Sequence, residues 1–198
     1  MFISFEGIDG CGKTTQLKLL NDYLNELGYK VIAVREPGGT PLSEKIREIL
    51  LNKNNNISNI AELLLFEAAR AELIHNIIKP ACNEGVFVLT DRFIDSTLAY
   101  QGYGRGLDTN YINILNTIAT EMLIPDITFY LQLPLSIVKQ RYSIKKLDRI
   151  EQLGEVFLQK VIDGFDIIAS NNTERIIIID ATQSIEKVFQ NIKNKLKI

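Results

Sequence analysis

The chain has 198 residues, of which 46% are hydrophobic, and its formal net charge is −2. This length predicts a single domain over residues 1–198 with one sizeable core, and the charge argues against a protein that coats nucleic acid. The longest apolar runs have only the length of a strand, so we expect no membrane span. Because no cation precedes Lys13, no targeting peptide is expected, and Cys11 and Cys82 are predicted to be reduced thiols in a soluble cytoplasmic protein.

Five short β-prone runs alternate with longer helix-like stretches along the chain. The runs are Phe2 to Phe5, Val31 to Val34, Val86 to Leu89, Ile127 to Leu131 and Ile176 to Ile179. Continuous apolar runs of this length are typical of parallel strands that are buried on both faces. The pattern predicts a three-layer α/β fold with a five-stranded parallel sheet, helices on both faces and ligands beyond the carboxyl ends of the strands.

A phosphate-binding motif directly follows the first run, since residues 7–14 match the P-loop pattern GxxxxGK[ST]. The motif consists of Gly7, Ile8, Asp9, Gly10, Cys11, Gly12, Lys13 and Thr14, and Thr15 continues into the predicted helix. Its glycines allow backbone N–H groups to approach a polyphosphate at the positive end of that helix. We expect Lys13 to reach the β- and γ-phosphates and Thr14 to hold Mg²⁺. The motif alone does not separate an ATPase, a GTPase switch and a kinase.

In a helix predicted over residues 61–78, Arg70 interrupts an apolar face. That face carries Leu63, Phe66, Leu73 and Ile77, and a neighbouring face carries Leu64, Ala68, Ala71 and Ile78. A guanidinium in such a place needs an anionic partner, and Phe66 lies one turn away, so the pair could hold a nucleoside monophosphate. In the other interpretation, Arg70 pairs with an internal carboxylate such as Glu67 or Glu36.

A polar segment directly follows the third run. Asp91 at its start either orients Mg²⁺ or caps the next helix. If the segment is helical, Arg92, Ser96 and Tyr100 share one face. Arg92 could then bind a phosphate, Ser96 and Gln101 could hydrogen-bond to a base edge, and Tyr100 could pack against a sugar.

A basic segment at residues 139–151 contains Arg141, Lys145, Lys146 and Arg149. A flexible cationic lid of this kind would neutralise a transferring phosphoryl group and exclude water. The other interpretation is a charged surface in contact with solvent.

Six motifs together resemble the thymidylate kinase family in its bacterial form. They are Phe5-Glu6-Gly7-Ile8-Asp9, Arg35-Glu36-Pro37-Gly38-Gly39-Thr40, the segment from Phe66 to Arg70, Asp91-Arg92-Phe93 with Ser96 and Ala99-Tyr100-Gln101-Gly102, Leu147-Asp148-Arg149-Ile150-Glu151, and Ile179-Asp180-Ala181-Thr182. The resemblance implies a P-loop kinase fold and a cytosolic homodimer. It also implies transfer of the γ-phosphoryl of ATP to dTMP with Mg²⁺, giving dTDP and ADP.

The resemblance further implies roles for individual residues. On the dTMP side these are Phe66 against thymine, Arg70 at the base and phosphate, Arg35 and Arg92 at the phosphate, Ser96 and Gln101 at the base, Tyr100 at the sugar and Asp9 at the 3′-hydroxyl. On the ATP side they are the P-loop residues, Arg141, and the loop around Ala181 and Thr182 beside the adenine. The implied catalytic residues are Lys13, Arg92, Arg149 and Asp9, and the implied metal-site residues are Thr14 and Asp91.

One departure concerns the catalytic cation. Gly10 stands where relatives of the eukaryotic form carry an arginine, so the lid would have to supply the charge, with Arg149 as first choice and Arg141 as second. Two other functions remain open, namely a kinase for another nucleotide and a regulatory P-loop ATPase or GTPase. The Phe66 and Arg70 pair and the lack of a guanine-reading Asn-Lys-x-Asp run argue against the regulatory protein.

Overall fold

The computed structural model describes residues 1–142 and 149–196. These residues contain a sheet whose strand pairs are all parallel, in the spatial order β2-β3-β1-β4-β5. The strands are β1 (Phe2–Glu6), β2 (Val31–Arg35), β3 (Phe87–Asp91), β4 (Ile127–Gln132) and β5 (Ile176–Asp180). The predicted α/β fold with a five-stranded parallel sheet is therefore confirmed. β3 extends two residues beyond the predicted run because Thr90 and Asp91 pair with Ser4 and Phe5 of β1.

Helices connect the strands. The described helices are α1 (Lys13–Glu26), α2 (Pro41–Leu51), α3 (Asn59–Leu73), α4 (Lys79–Asn83), α5 (Ile94–Thr97), α6 (Thr109–Thr120), α7 (Leu135–Tyr142), α8 (Glu155–Asn171) and α9 (Ile185–Lys195). Short π-helical segments follow α3 and α5, at Ile74–Ile78 and Leu98–Gly104, and a 3₁₀ turn at Glu151–Leu153 precedes α8. None of the described helices has the length and apolar character needed to cross a membrane.

β1 is the central strand, and every one of its residues is buried. The side chains of Ile3 and Phe5 are fully inaccessible, and the Phe5 ring packs on Phe129 of β4 with a centroid distance of 5.6 Å. Burial on both faces is typical of parallel sheets, and it explains why the apolar residues of this strand are not confined to alternate positions. The polar residues Ser4 and Glu6 are buried as well. The loop that follows β1 therefore starts from the buried centre of the sheet.

The two apolar faces of α3 have different environments. Leu63 and Leu73 are buried and Phe66 is half-buried, whereas Leu64, Ala68 and Ala71 are exposed. α3 packs against α2 and α6, which leaves its outer side uncovered within the described residues. The face around Arg70 thus belongs to the interior of the chain, and the neighbouring face is largely on its surface.

The π-helical segment Leu98–Gly104 packs closely on α8. A Cβ atom on Gly164 would lie 2.7 Å from the Cβ of Tyr103, and one on Gly104 would lie 2.7 Å from the ring of Phe157. Such separations are shorter than real contacts allow, so only glycine fits at these two helix crossings. The close approach holds the segment that contains Tyr100 and Gln101 in a defined position relative to the sheet.

Candidate active site

The P-loop connects the end of β1 to the start of α1. Gly7 has a φ of 134°, and a Cβ there would lie 2.8 Å from the carbonyl oxygen of Leu131. Gly12 occupies the N-cap of α1 in the left-handed region, with a φ of 103° and no side-chain cap. The first N–H groups of α1 therefore have no side-chain acceptor, which is the arrangement that binds phosphate at a helix N-terminus.

Lys13 is buried at the start of α1. Its Nζ donates hydrogen bonds to the carbonyl oxygens of Gly7 and Ile8, each at 3.0 Å, and lies 3.9 Å from Asp9 Oδ1. Burial raises the pKa of the neighbouring Cys11 thiol, and both Cys11 and Cys82 are free. The carbonyl groups of the P-loop thus hold the Lys13 ammonium group next to the place where a phosphate would bind.

Thr14 and Asp91 meet at the carboxyl end of the sheet. The Thr14 hydroxyl donates to Asp91 Oδ2 at 2.6 Å. Asp91 is the last residue of β3, and α5 begins only at Ile94 with no side-chain cap, so Asp91 does not cap that helix. A hydroxyl and a carboxylate are the hard oxygen ligands that Mg²⁺ prefers, and Mg²⁺ usually takes its other ligands from water and substrate phosphates. The two residues fit this ion.

Arg92 lies between the P-loop and the segment after β3. Its Nη1 donates to the Gly7 carbonyl oxygen and to Ser96 Oγ, both at 3.0 Å. Its Nη2 donates to Asp9 Oδ1 at 2.9 Å and to the Tyr100 hydroxyl at 3.1 Å. The guanidinium also lies over the Tyr100 ring, 4.9 Å from its centroid. Although burial disfavours the charged form, Asp9 and the neighbouring groups raise the pKa of Arg92.

The backbone at Arg92 differs from the sequence-based expectation. Arg92 has a φ of 75° and lies outside the helix, which begins two residues later at Ile94. The condition under which Arg92, Ser96 and Tyr100 would share one helical face is therefore not met, although the three side chains do meet. A non-glycine residue in the left-handed region is held there by its surroundings, and such strain is commonly found at functional sites.

Glu6, the last residue of β1, is completely buried beneath Arg92. Its Oε1 accepts hydrogen bonds from the backbone N–H groups of Phe93, at 2.8 Å, and Ser96, at 3.3 Å. Its Oε2 shares a 2.5 Å hydrogen bond with Ser96 Oγ. Burial, together with the nearby Asp95 carboxylate, raises the pKa of Glu6 to about 8. Glu6 thus connects the central strand to the start of α5.

A cavity of about 250 Å³ opens beside the P-loop. Its walls include all the residues that the family resemblance implied for dTMP: Asp9, Arg35, Phe66, Arg70, Arg92, Ser96, Tyr100 and Gln101. Thr14 and Asp91 lie at the same cavity, which therefore adjoins the candidate metal site. Arg35 is half exposed and bonds to Glu44 at 2.9 Å.

Arg70 is 2% exposed and has several protein partners. It forms ion pairs with Glu36 at 2.7 Å and Glu67 at 2.8 Å, as in the second interpretation of the sequence. It also donates hydrogen bonds to Thr97, Asn116 and the carbonyl oxygen of Phe93. Burial raises the pKa of Glu36 to about 7, even though Arg70 acts in the opposite direction. Arg70 lines the cavity, but its N–H groups already donate hydrogen bonds to other residues of the protein.

Ala181 and Thr182 lie on the other side of the P-loop. They directly follow β5, whereas the cavity residue Arg35 ends β2 and Arg92 directly follows β3, on the opposite side of the central β1. The Ala181 N–H donates to the Gln132 carbonyl oxygen, and the N–H and hydroxyl of Thr182 donate to Asp180. Two separate regions thus flank the P-loop, as two nucleotides would require.

The basic segment is described only in part. Lys145 and Lys146 lie outside the described residues, and so does the side chain of Arg141 at the end of α7. Arg149 is described, and its guanidinium donates to the Leu50 carbonyl oxygen at 2.7 Å and to Glu62 Oε2 at 2.6 Å.

Glu62 is a buried residue of the site that the sequence did not reveal. It lies inside α3, one turn before Phe66, and its side chain is inaccessible. Its acidic character within an apolar helix could have marked it, as it marked Arg70. Its partners are distant in the chain, however, and no local pattern indicates them.

The fold and the site together define a P-loop protein that binds a nucleotide phosphate and has an arginine-lined cavity beside the P-loop. The family model for thymidylate kinase matches residues 5–192. A thymidylate kinase of Thermosipho africanus is 50% identical over 98% of this chain and 96% of its own length, and one of Chlorobaculum tepidum is 48% identical over 97% and 94%. The crystal structure of thymidylate kinase from Ehrlichia chaffeensis has a TM-score of 0.83 and 40% identity, covering 100% of this chain and 98% of that one. The chain belongs to the thymidylate kinase family.

The raised pKa of Glu6 predicts a pH-dependent stability. Between the ordinary value of 4.5 and about 8, the unfolded chain has released a proton that the folded protein keeps on Glu6. The Glu6 contribution to the free energy of unfolding therefore falls as pH rises through this window, by up to about 1.4 kcal/mol per pH unit. In Glu6→Gln, the amide can make the same hydrogen bonds without titrating.

Urea denaturation of both proteins from about pH 5 to about pH 9 checks this expectation. The wild type should lose stability relative to Glu6→Gln as the pH rises. The surface variant Glu26→Gln retains Glu6, so its stability should differ from that of the wild type by a constant amount over the same range. A constant difference between wild type and Glu6→Gln across this range would contradict the raised pKa.

Proposed function

We propose that the protein transfers the γ-phosphoryl group of ATP to dTMP, giving dTDP and ADP. The observation that carries this proposal is the position of the arginine-lined cavity, whose walls include Asp9 of the P-loop and the Thr14 and Asp91 pair. Phosphoryl transfer requires little covalent chemistry from a protein and depends mainly on position and charge. A site that holds two nucleotides on opposite sides of one P-loop meets this requirement.

Lys13, Arg92 and Asp9 form the catalytic group of the proposed reaction. Lys13 exchanges its bonds to the Gly7 and Ile8 carbonyls for bonds to the ATP phosphates. Arg92 neutralises charge on the phosphoryl group between the two substrates, because it already lies on the P-loop carbonyl of Gly7. Asp9 fixes the orientation of the Arg92 guanidinium and accepts a hydrogen bond from the 3′-hydroxyl of dTMP.

Thr14 and Asp91 are the residues that would hold Mg²⁺ with the ATP phosphates. The ion would supply positive charge to the transferring group. Gly12 and the residues that follow it would bind the phosphates through backbone N–H groups, with Thr15 in the first turn of α1. Ala181 and Thr182 would border the adenine.

The cavity residues bind dTMP in this proposal. The half-buried Phe66 ring stacks on thymine, and Ser96 and Gln101 hydrogen-bond to the base edge. Arg35 binds the phosphate together with Arg92. The Tyr100 ring packs against the sugar, where a ribose 2′-hydroxyl would clash. Because the cavity is small, a monophosphate fills it and displaces water that would otherwise accept the phosphoryl group.

Residues 139–151 form the proposed lid over the ATP side. Arg141 and Arg149 are its candidate cations for the transferring group. In the described structure Arg149 is bound to Glu62 and to the Leu50 carbonyl, so it would have to leave both partners to reach a phosphate. The side chain of Arg141 lies outside the described residues.

The first experiment is a substrate panel. ADP release from ATP and Mg²⁺ is measured with dTMP, dUMP, UMP, CMP, dCMP, AMP and GMP, each offered alone. We expect turnover to depend on dTMP, because the cavity holds a base edge and a phosphate at the same time. Preference for another monophosphate would overturn the assignment of the base site. Hydrolysis that ignores every monophosphate would indicate a regulatory NTPase.

Removal of the central charges should reduce catalysis. Lys13→Ala and Arg92→Ala should each lower kcat at least about a hundredfold, the scale of removing one contact to the charge of a transition state. Lys18→Ala, an exposed lysine of the same helix, is the matched control for Lys13 and should retain normal kcat. Arg92→Lys should recover only part of the activity, because lysine cannot form the two-sided contact of a guanidinium. Near-normal kcat in Arg92→Ala would rule out its assigned role.

We also propose a single cytosolic domain that forms a homodimer. The outer faces of α3 and α6 carry exposed apolar side chains, namely Ile60 and Leu64 on α3 and Tyr111, Ile114 and Ile118 on α6. These two helices pack side by side, so the side chains lie on neighbouring surfaces. Exposed apolar patches of this kind mark protein interfaces, and a second copy of the chain is the occupant that the proposal assigns.

A charge within this patch should separate the subunits. Ile118→Asp is expected to sediment as a monomer at concentrations where the wild type is a dimer, because a carboxylate cannot be buried there unpaired. Ile185→Asp places the same change at an exposed isoleucine of α9, away from the patch, and should remain dimeric. A dimeric Ile118→Asp variant would place the interface elsewhere.

A further inference from the structure

Glu62 forms a buried junction behind the dTMP cavity. Its Oε1 accepts hydrogen bonds from Gln101 Nε2 at 2.9 Å and from Arg105 Nε at 3.1 Å. Its Oε2 accepts from Arg105 Nη2 at 2.7 Å and from Arg149 Nη2 at 2.6 Å. The Glu62 side chain is inaccessible and does not line the cavity, whereas Gln101 does.

Two guanidinium groups keep Glu62 in its ionised form. Although burial raises the pKa of Glu62, the hydrogen bonds from Arg105, Gln101 and Arg149 outweigh this effect and lower that pKa. An ionised carboxylate only accepts hydrogen bonds. Any side chain that bonds to Glu62 must therefore present a donor to it.

This requirement decides the orientation of the Gln101 amide. A glutamine amide has a donor end, the NH₂ group, and an acceptor end, the carbonyl oxygen, and either end can face a neighbour unless the neighbour discriminates. Gln101 is 2% exposed and makes no other side-chain hydrogen bond within the described residues. With Nε2 held by Glu62, the carbonyl Oε1 is the end that remains for a ligand in the cavity.

We infer that Glu62 is a specificity-determining positioning residue, which makes Gln101 an obligatory hydrogen-bond acceptor and so selects a base edge that carries an imide N–H. Thymine and uracil have a donor at ring position N3, whereas cytosine has a lone pair at this position. The unprotonated ring nitrogen of cytosine would face the Oε1 lone pairs without a proton between them. A site built to pair with one polar group strongly rejects an analogue that leaves this group unpaired. Because dTMP is the proposed acceptor, this inference rests on the proposed function.

The test is the ratio of kcat/KM for dTMP to kcat/KM for dCMP. In Glu62→Gln the neighbour can donate or accept, so the Gln101 amide can turn either way. We expect this ratio to fall at least about tenfold, mainly through a higher KM for dTMP, since one oriented hydrogen bond is worth about this factor. Glu72→Gln makes the same substitution in the same helix, away from the cavity, and should keep the wild-type ratio.

A double variant separates positioning from a merely structural role. In a Gln101→Leu background there is no amide to orient, so adding Glu62→Gln should not change the ratio further. If Glu62 acted only by holding Arg105 and Arg149, the added change would alter activity with both bases equally in either background. An unchanged ratio in folded Glu62→Gln would overturn the inference.

Folding and the basic activity are checked first. A thermal melt shows whether Glu62→Gln is folded. If it is not, Glu62→Asp keeps the charge for the two arginines but withdraws the carboxylate from Gln101, and an unchanged ratio in that variant would equally overturn the inference. Wild-type protein that does not phosphorylate dTMP would instead reject the proposed function, so the two failures are distinguishable.

Discussion

The site depends on the network of the Arg92 guanidinium. This one side chain bonds to the Gly7 carbonyl of the P-loop, to Asp9, and to Ser96 and Tyr100 after β3. These partners lie in the segments that follow two neighbouring strands, β1 and β3, so the network joins the phosphate-binding loop to the cavity that adjoins it. The backbone at Arg92 accepts an unfavourable left-handed conformation, and the buried Glu6 beneath it bonds to the backbone of the next residues. A residue in such a conformation persists only where its surroundings hold it, so the contacts on both sides fix the position of Arg92.

Buried charged side chains around the cavity occur in groups in which each member is paired with an opposite charge. Glu62 forms ion pairs with Arg105 and Arg149, and Arg70 forms ion pairs with Glu36 and Glu67. Such pairs contribute little net stability, since the loss of hydration offsets the attraction, but they hold their members in one geometry. The cavity therefore has its polar groups in place before a ligand binds, which lowers the entropic cost of binding.

Much of the fold and the residue types of the site followed from local sequence patterns. The five strands were visible as mostly apolar runs, which are typical of parallel strands. This holds even for the edge strands β2 and β5, although some of their residues are exposed. The P-loop, Thr14 and Asp91 were found through motif spacing and strand ends. The left-handed backbone of Arg92 was not, because contacts with residues more than 80 positions away hold it there. The role of Glu62 was not predicted for a similar reason, because its partners lie 39, 43 and 87 positions further along the chain.

The difference between Arg35 and Arg70 shows how burial assigns roles to similar side chains. The Arg35 pair with Glu44 is exposed by 48% and 42%, and such surface pairs contribute only about 0–1 kcal/mol. Arg35 can therefore exchange Glu44 for a phosphate at little cost.

Separating the buried Arg70 from its carboxylates would cost about 3–5 kcal/mol, because it leaves unpaired charge in the interior. In addition, Glu36 Oε1 and Glu67 Oε2 are buried without a hydrogen-bond partner among the described residues. In the proposed reaction, Arg35 and Arg92 would therefore bind the phosphate, and Arg70 would support the base.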